Sequence, residues 1–171
     1  MAHMFLAVAI LLALAQTPEK ITLPGASNVT RVDAALMCAG ATSPEAFSEI
    51  KKLGFSSIIN LRQDGESNAD IPGAKAAAES AGLKYVHVPV HPSAPSDESV
   101  KMFLNAVQDP ANQPMFIHCG SANRVAAMWL IKRVVVDGWD MERATTEAEA
   151  IGLTSPALKK FALSYVANSK R

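Results

Sequence analysis

The hydrophobic pattern divides the chain into a continuous apolar leader at residues 5–15 and a longer body in which short apolar runs alternate with helical patterns. Strand-like runs are predicted at 32–38, 55–61, 84–89 and 115–118. The helical patterns between and after them include 72–81, 124–136, 141–150 and 156–167. Because strands alternate with helices, we expect an α/β fold with a central, mainly parallel sheet of about four or five strands flanked by helices.

Capping residues mark where several of these helices begin and end. Ser43, followed by Pro44, opens the first helix, which Gly54 closes. Ser96 is the predicted N-cap of a helix that carries Val100 to Val107, and Asp140 caps a later one. No internal repeat or low-complexity linker interrupts the series, so the body is predicted to be one domain.

The leader allows two interpretations: residues 1–15 are a signal peptide or an N-terminal apolar helix, and residues 16–171 form the domain. Ala13 and Ala15 fit a signal-peptide cleavage site, whereas residues 1–4 lack the basic residues typical of such a leader. A functional leader implies a periplasmic or secreted protein. Otherwise the protein is expected in the cytoplasm, with the apolar helix packed on its own domain or on a second copy as a homodimer.

Composition excludes several classes of protein. The 171 residues carry 16 Lys+Arg and 16 Asp+Glu, so no net charge draws the chain to nucleic acid or to anionic lipid. Its two cysteines, Cys38 and Cys119, are too few for a disulfide scaffold and lack the spacing of a zinc site. No metal or cofactor is predicted.

One segment carries the candidate chemistry. The apolar run 115–118 delivers Cys119 into the small residues Gly120, Ser121, Ala122 and Asn123, and Arg124 then begins an apolar helix. Loop N–H groups and the positive end of the helix dipole would form a cradle for an oxyanion and would favour the thiolate form of the cysteine. The planar guanidinium of Arg124 can hold two oxygens of a phosphoryl group.

The stretch from His118 and Cys119 to Arg124 resembles the signature of the cysteine-dependent protein tyrosine and dual-specificity phosphatases. Those enzymes usually have five residues between Cys and Arg, and four here resemble the bacterial beta-lactamase-hydrolase-like phosphatases. Further similar segments within Ser27 to Leu153 are Ala39-Gly40, Ile58 to Arg62 with Glu66, and Tyr85 to Pro89. Val125 stands where the larger family often has a hydroxyl residue, which in that family helps the thiolate leave.

The resemblance implies that residues 16–171 are a phosphatase-like catalytic domain acting on phosphotyrosine or a related phosphomonoester, carried by a protein or a small molecule. Cys119 would form a phosphocysteine intermediate, with Arg124 and the loop amides binding the phosphate and no metal required. His118 would help to fix the cradle by hydrogen bonding, and the alternative is a histidine that is simply buried at the end of a strand. The family also places an acid on a loop across the pocket. Asp97 is the first choice for this proton donor, and its rivals are Asp64, Glu66 and Glu98.

Two other functions stay open at this stage. Rhodanese-type sulfurtransferases also use a Cys in a six-residue loop, and Cys119 to Arg124 spans six residues. A catalytically weak phosphate-binding module would keep the cradle without turnover, and Val125 favours it. Arg62 and Glu66 are interpreted either as a surface ion pair of little energetic weight or as a brace for the pocket floor.

Cys38 ends the first predicted strand. In a parallel sheet, that end is also where Cys119 emerges, so the two sulfurs are expected to be neighbours. Either Cys38 forms a reversible disulfide that protects the nucleophile, or it is a small buried apolar residue.

Overall fold

The computed structural model describes residues 17–169, and both interpretations of residues 1–15 fall outside this range. The described chain forms six strands and six α-helices, which alternate only between β3 and α4. The strands are β1 (Glu19–Leu23), β2 (Ala26–Arg31), β3 (Leu36–Ala39), β4 (Ser57–Asn60), β5 (Lys84–His87) and β6 (Met115–His118). The helices are α1 (Phe47–Lys52), α2 (Ile71–Ser80), α3 (Asp97–Gln108), α4 (Asn123–Val135), α5 (Met141–Ile151) and α6 (Pro156–Ser169).

The sheet has the strand order β1-β2-β3-β6-β4-β5. Strands β3, β6, β4 and β5 are parallel neighbours, and β1 and β2 add an antiparallel hairpin beside β3. This arrangement confirms the mainly parallel α/β fold. All four parallel strands end at the same edge, so the loops that follow them meet there.

The prediction for the N-terminal part of the sheet was wrong in two respects. The sheet contains six strands instead of four or five, because the β1–β2 hairpin was not foreseen. The strand predicted at 32–38 begins only at Leu36, since residues 32–35 form a tight turn in which the Leu36 carbonyl accepts hydrogen bonds from the N–H groups of Val32 and Asp33. The hairpin strands are half exposed and mostly polar, which hides them from a search for apolar runs.

Helices cover both faces of the sheet. One core lies between the sheet and α3 to α6, where α4 is buried along most of its length. A smaller core lies on the opposite face, against α1 and α2. Alternation along β6 sends Ile117 and the following Cys119 to the first core and Phe116 to the second.

Most predicted helix boundaries are confirmed within one or two residues. Ser96 and Asp140 cap α3 and α5 by accepting hydrogen bonds from the N–H groups of Ser99 and Arg143. Ser43 precedes a 3-10 turn at Pro44–Ala46 that leads into α1, but its side chain makes no capping hydrogen bond. Within residues 17–169, every helix is too short or too polar to cross a membrane.

Candidate active site

The cradle predicted around Cys119 lies at the edge of the sheet where the parallel strands end. Strand β6 stops at His118, and α4 begins at Asn123. Between them Ala122 has a left-handed backbone with φ 73°, which turns the chain into the helix while its methyl group stays buried. The small residues predicted to line the cradle therefore form a tight connection from strand to helix.

The neighbouring loop after β3 approaches the cradle closely. Gly40 forms an isolated bridge with Ser121, and the N–H of Cys119 donates to the carbonyl of Ala39. A Cβ on Gly40 would lie 2.6 Å from the hydroxyl of Ser27 and 3.3 Å from the backbone of Ser121. A glycine at position 40 is thus required by close packing against the cradle.

Cys119 and Arg124 are brought together at the base of the cradle. Cys119 is a free thiol with no solvent exposure, and Arg124 is 5% exposed. Burial alone would lower the pKa of the Arg124 guanidinium, but the hydrogen bonds with Glu66 raise it, and the charge of the neighbouring Cys119 acts in the same direction. A permanently charged guanidinium therefore lies beside the candidate nucleophile.

The two edges of the Arg124 guanidinium are used differently. Its outer edge is occupied, because Nη1 and Nη2 donate to the two carboxylate oxygens of Glu66, the Nη2 bond being 2.9 Å long. Nη1 also reaches the carbonyl oxygens of Leu61 at 3.2 Å and Val90 at 2.9 Å. Nε has no acceptor within the described residues, and a Cβ on Gly120 would lie 3.3 Å from Nη2. The Nε/Nη2 edge therefore faces the cradle loop and is available to an oxyanion.

Glu66 is the residue that fixes this orientation. Besides Arg124, it accepts hydrogen bonds from Nε of Arg62 at 3.3 Å and from the N–H of Gln63 at 2.7 Å. The hydrogen bond with Arg124 is the main cause that lowers the pKa of Glu66 to about 2. The contacts match a brace for the pocket floor, the second of the two interpretations of Glu66.

Asn123 holds the cradle from the side. Its Oδ1 accepts hydrogen bonds of 2.7 Å from the N–H groups of Thr154 and Ser155, in the loop between α5 and α6. Its Nδ2 donates to the hydroxyls of Thr154 and Ser121. The Asn123 side chain is therefore occupied in fixing the neighbouring loop, and an oxyanion would meet its backbone N–H.

His118 does not form the hydrogen bond to the cradle that the resemblance implies. Neither ring nitrogen has a partner of hydrogen-bond geometry among the described residues, although the Cys119 backbone lies nearby. Burial is the main cause that lowers the pKa of His118 to about 3, and the charges of Arg62 and Arg124 act in the same direction. The ring borders a cavity of about 270 Å³ beside α2. The imidazole is thus neutral at pH 7.

Among the described residues, no hydrogen bond or ion pair joins Asp97 to the cradle, so its role as proton donor stays a prediction. Asp97 begins α3 and borders a depression formed by the C-terminal half of α6, including Phe161 and Tyr165. The cradle instead contacts the start of α6, through Asn123 and Ser155. Of the rival acids, Glu98 is exposed beside Asp97. Asp64 is exposed in the same loop as Glu66, which binds Arg124.

Cys38 lies on the strand next to Cys119. It is paired in register with Ile117, so Cys119 lies two residues further along β6 and faces the same core. Both thiols are free and buried, and burial is the main cause that raises the pKa of Cys38 well above its usual range.

Metal-ligand geometry is not found in the described chain: residues 17–169 contain no group of three or more His, Cys, Asp or Glu side chains that could hold a metal ion. The groups that converge on Cys119 are those for binding an oxyanion, namely one guanidinium edge and the start of a 13-residue helix.

Comparison with known proteins identifies relatives of this arrangement. The family model of the beta-lactamase hydrolase-like protein, phosphatase-like domain, matches residues 28–136. A beta-lactamase hydrolase-like protein of Xylella fastidiosa strain 9a5c is 27% identical over 151 residues, which cover 78% of this chain and 35% of that protein. This chain spans about a third of the length of the curated relatives that it matches first.

Solved structures share the fold. P. aeruginosa TpbA in complex with pTyr superimposes with a TM-score of 0.67 at 19% identity, over 91% of this chain and 90% of that one. The core catalytic domain of the PP-IP phosphatase SIW14 from S. cerevisiae has a TM-score of 0.67 at 18% identity, over 87% and 96% of the two chains. The family expected from the stretch between His118 and Arg124 is confirmed.

Proposed function

Because the chain belongs to the family of the beta-lactamase hydrolase-like protein, phosphatase-like domain, we propose that it hydrolyses phosphotyrosine or related phosphomonoesters through a phosphocysteine intermediate. The observation that carries this proposal is that the two edges of the Arg124 guanidinium have different surroundings. One edge is tied to Glu66, and the Nε/Nη2 edge is left facing the loop that holds Cys119.

In the first step, the thiolate of Cys119 attacks phosphorus in line with the leaving oxygen. The S–P bond forms, the P–O bond to the leaving group breaks, and the leaving oxygen takes up a proton. The open edge of Arg124 and the N–H groups that begin α4, which have no intrahelical acceptor, bind the equatorial oxygens as their charge increases. In the second step, water attacks phosphorus, and the S–P bond breaks to release phosphate and restore the thiolate.

The proton for the leaving oxygen requires a group that is protonated at the working pH. Glu66 does not meet this condition, since its pKa of about 2 keeps it ionised and its oxygens are bound to arginines. Asp97 is the donor proposed from the sequence, and it would have to act from the start of α3. Asp64 lies in a loop that already contacts Arg124 through Glu66, and it is the alternative proposed from position.

The second candidate function is a phosphate-binding module with weak turnover. It is favoured by Val125, which is fully buried and has no hydroxyl to donate to the departing thiolate. The sulfurtransferase interpretation has no comparable support, because the family is phosphatase-like.

Hydrolysis of p-nitrophenyl phosphate and its inhibition by vanadate test the proposal directly. A phosphatase of this kind turns over the ester, is inhibited by the oxyanion, and transfers no sulfur from thiosulfate. If vanadate binds while turnover is absent, the phosphate-binding module is the correct function. A stable persulfide formed from thiosulfate would instead identify a sulfurtransferase.

A further inference from the structure

The β1–β2 hairpin reaches the cradle through the side chain of Asn28. Opposite Thr22 of β1, strand β2 carries two residues, Ser27 and Asn28, so the strand bulges at this point. Asn28 has a left-handed backbone with φ 47°, which asparagine tolerates better than most residues. A bulge redirects a side chain, and here it brings the Asn28 amide to the cradle, where Nδ2 donates to the carbonyl of Ser121 at 3.2 Å.

Lys20 determines which end of the Asn28 amide faces the cradle. Its ammonium donates to Oδ1 of Asn28, and since an ammonium cannot accept, the amide presents its oxygen to Lys20 and its NH2 group to Ser121. Lys20 also donates to the hydroxyl of Thr30 at 2.8 Å and to the carbonyl of Ile151 at 2.9 Å. Because these three acceptors hold the ammonium in place, the direction of the Asn28 amide is fixed.

Gly152 leaves room for this amide. A Cβ at that position would lie 2.7 Å from Nδ2 of Asn28 and 3.3 Å from the Cβ of Ala122. The backbone of Gly152, with φ 141°, is also one that residues with a side chain rarely adopt. The start of the α5–α6 loop is therefore shaped to admit Asn28 beside the cradle.

The contact acts on the most constrained part of the cradle. The left-handed backbone of Ala122 is unfavourable for a residue with a Cβ and persists only where the surrounding structure holds it. Asn28 holds Ser121 on one side of Ala122, and the α5–α6 loop holds Asn123 on the other. Because a peptide group is planar, a Ser121 carbonyl that is bound to the hairpin cannot turn toward an oxyanion in the cradle, which it would repel.

We propose that Asn28 is a positioning residue of the cradle and that Lys20 acts through it. Asn28 holds the peptide between Ser121 and Ala122 in the orientation that accommodates the transferring phosphoryl group, without itself touching the substrate. Asn28 and Lys20 are exposed, and substitutions at exposed positions usually change stability little, so an effect on the reaction is separable from an effect on folding. This inference rests on the proposed phosphatase function.

Two variants of Asn28 test its role. Asn28→Gly keeps the left-handed backbone and removes the amide, whereas Asn28→Asp keeps an oxygen for Lys20 but turns a second oxygen toward the Ser121 carbonyl. For p-nitrophenyl phosphate, kcat should fall about fivefold in Asn28→Gly and about twentyfold in Asn28→Asp, with KM changed less than about twofold. Inhibition by vanadate, an analogue of the transition state, should weaken by about the same factors, and inhibition by phosphate should change little.

The matched control is Asn68→Gly. Asn68 is also an exposed asparagine with a left-handed backbone, φ 61°, and its side chain makes no hydrogen bond to any residue that the structure describes. The control should keep the wild-type kcat, KM and inhibition constants. Partial unfolding of an Asn28 variant would lower kcat through the amount of active enzyme but would not change its inhibition constant for vanadate, which therefore separates positioning from stability.

Lys20→Gln, alone and combined with Asn28→Gly, tests how Lys20 acts. Alone it should lower kcat about threefold, because the Asn28 amide can then turn its oxygen toward Ser121. In the Asn28→Gly background it should cause no further loss, since Lys20 then has no amide to orient. If Lys20 acted instead through its charge on the substrate, the two effects would multiply.

The outcomes separate this inference from the function on which it rests. Wild-type inhibition by vanadate in both Asn28 variants, or equal losses in Asn28→Gly and Asn68→Gly, overturns the positioning role while leaving a phosphatase. Effects of Lys20→Gln and Asn28→Gly that multiply overturn the action of Lys20 through Asn28. If the wild type does not hydrolyse p-nitrophenyl phosphate, the proposed function is refuted. Calorimetric titration with vanadate then decides the inference, because Asn28→Asp should weaken binding and Asn68→Gly should not.

Discussion

Glu66 binds Arg124 through both of its carboxylate oxygens, and this pair connects the loop after β4 to the candidate catalytic loop. The pair occupies the outer edge of the guanidinium and directs the other edge toward Cys119. Together with the carbonyl oxygens of Leu61 and Val90, which accept from Nη1, the carboxylate sets the angle at which Arg124 meets a phosphoryl group.

Glu66→Gln should lower kcat/KM for p-nitrophenyl phosphate by about tenfold to a hundredfold, because the amide preserves the shape but only one of the two charge-assisted bonds. A loss of positioning lowers kcat along with affinity for phosphate. Steady-state kinetics on folded protein provide the measurement. The control is Glu49→Gln, which removes the carboxylate of an exposed pair with Lys52 and should have no effect on activity. Equal activities of the two variants would show that Glu66 does not position Arg124 for catalysis.

Cys119→Ser should abolish hydrolysis by several orders of magnitude while leaving phosphate binding nearly intact, since the oxyanion is held by Arg124 and backbone N–H groups. Turnover of p-nitrophenyl phosphate and calorimetric titration with vanadate or phosphate measure the two effects. No other cysteine or serine of the cradle is placed to replace the sulfur at the base, because Ser121 is exposed. Retained turnover would show that Cys119 is not the nucleophile.

Three carboxylate variants distinguish the proposed proton donors. Removing the true donor should slow hydrolysis of phenyl phosphate about a hundredfold but hydrolysis of the activated p-nitrophenyl ester much less, because only the poor leaving group needs the proton. The measurement compares Asp97→Asn, Asp64→Asn and Glu98→Gln on both substrates, with Glu49→Gln as the control. An unchanged substrate dependence in all three candidate variants would assign the proton to water.

Burial of the neutral His118 ring predicts a pH dependence of stability. Its pKa is about 3 in the folded protein and is taken as the ordinary 6.5 in the unfolded chain, so the unfolded state binds more protons below pH 6.5. Stability is therefore greatest above that pH and falls as the pH decreases toward 3, by up to about 1.4 kcal/mol per pH unit.

Urea unfolding between about pH 7.5 and 6 measures this slope, a window in which Glu66 stays ionised in both states because its pKa of about 2 and its ordinary value of 4.5 both lie well below it. His118→Asn should flatten the slope relative to the wild type. The control is His91→Asn, a change at an exposed histidine, which should leave the slope of stability against pH as in the wild type. A slope that survives in His118→Asn would mean that another group takes up the proton.

The sequence predicts the catalytic loop better than its surroundings, for a physical reason. A buried strand, small residues and an apolar helix in direct succession allow few backbone paths, so Cys119 and Arg124 are located from local pattern alone. The partner of Arg124 comes from another loop. The sequence does not show whether Glu66 forms a surface ion pair or braces the pocket floor, because only the fold determines which loops meet.

One further difference has the same origin. The β1–β2 hairpin escapes prediction because its strands bury few side chains and so show no apolar run. The assignment of Asp97 as proton donor stays a prediction, because residues 88–96 lead to the start of α3 beside the C-terminal half of α6, and the sequence alone does not determine where that loop places the carboxylate.

Cys38 is predicted to stabilise the core and not to protect Cys119 from oxidation. The β3–β6 register places the two residues diagonally across neighbouring strands, which corresponds to a Cα separation of about 8 Å, beyond the usual range for a disulfide. Burial also raises the pKa of Cys38, so little thiolate is present to attack an oxidised Cys119.

Cys38→Ala should therefore lower the free energy of unfolding by about 1 kcal/mol, through the lost packing of one buried sulfur, without changing the response to oxidant. The test exposes wild type and Cys38→Ala to mild peroxide, adds dithiothreitol, and measures the activity that returns. Equal recovery is expected, because both proteins lose the unprotected Cys119 thiolate to irreversible oxidation at the same rate. If only the wild type recovered activity, and mass spectrometry found a disulfide between Cys38 and Cys119, this prediction would be contradicted. Cys38 would then be the resolving thiol of a reversible switch.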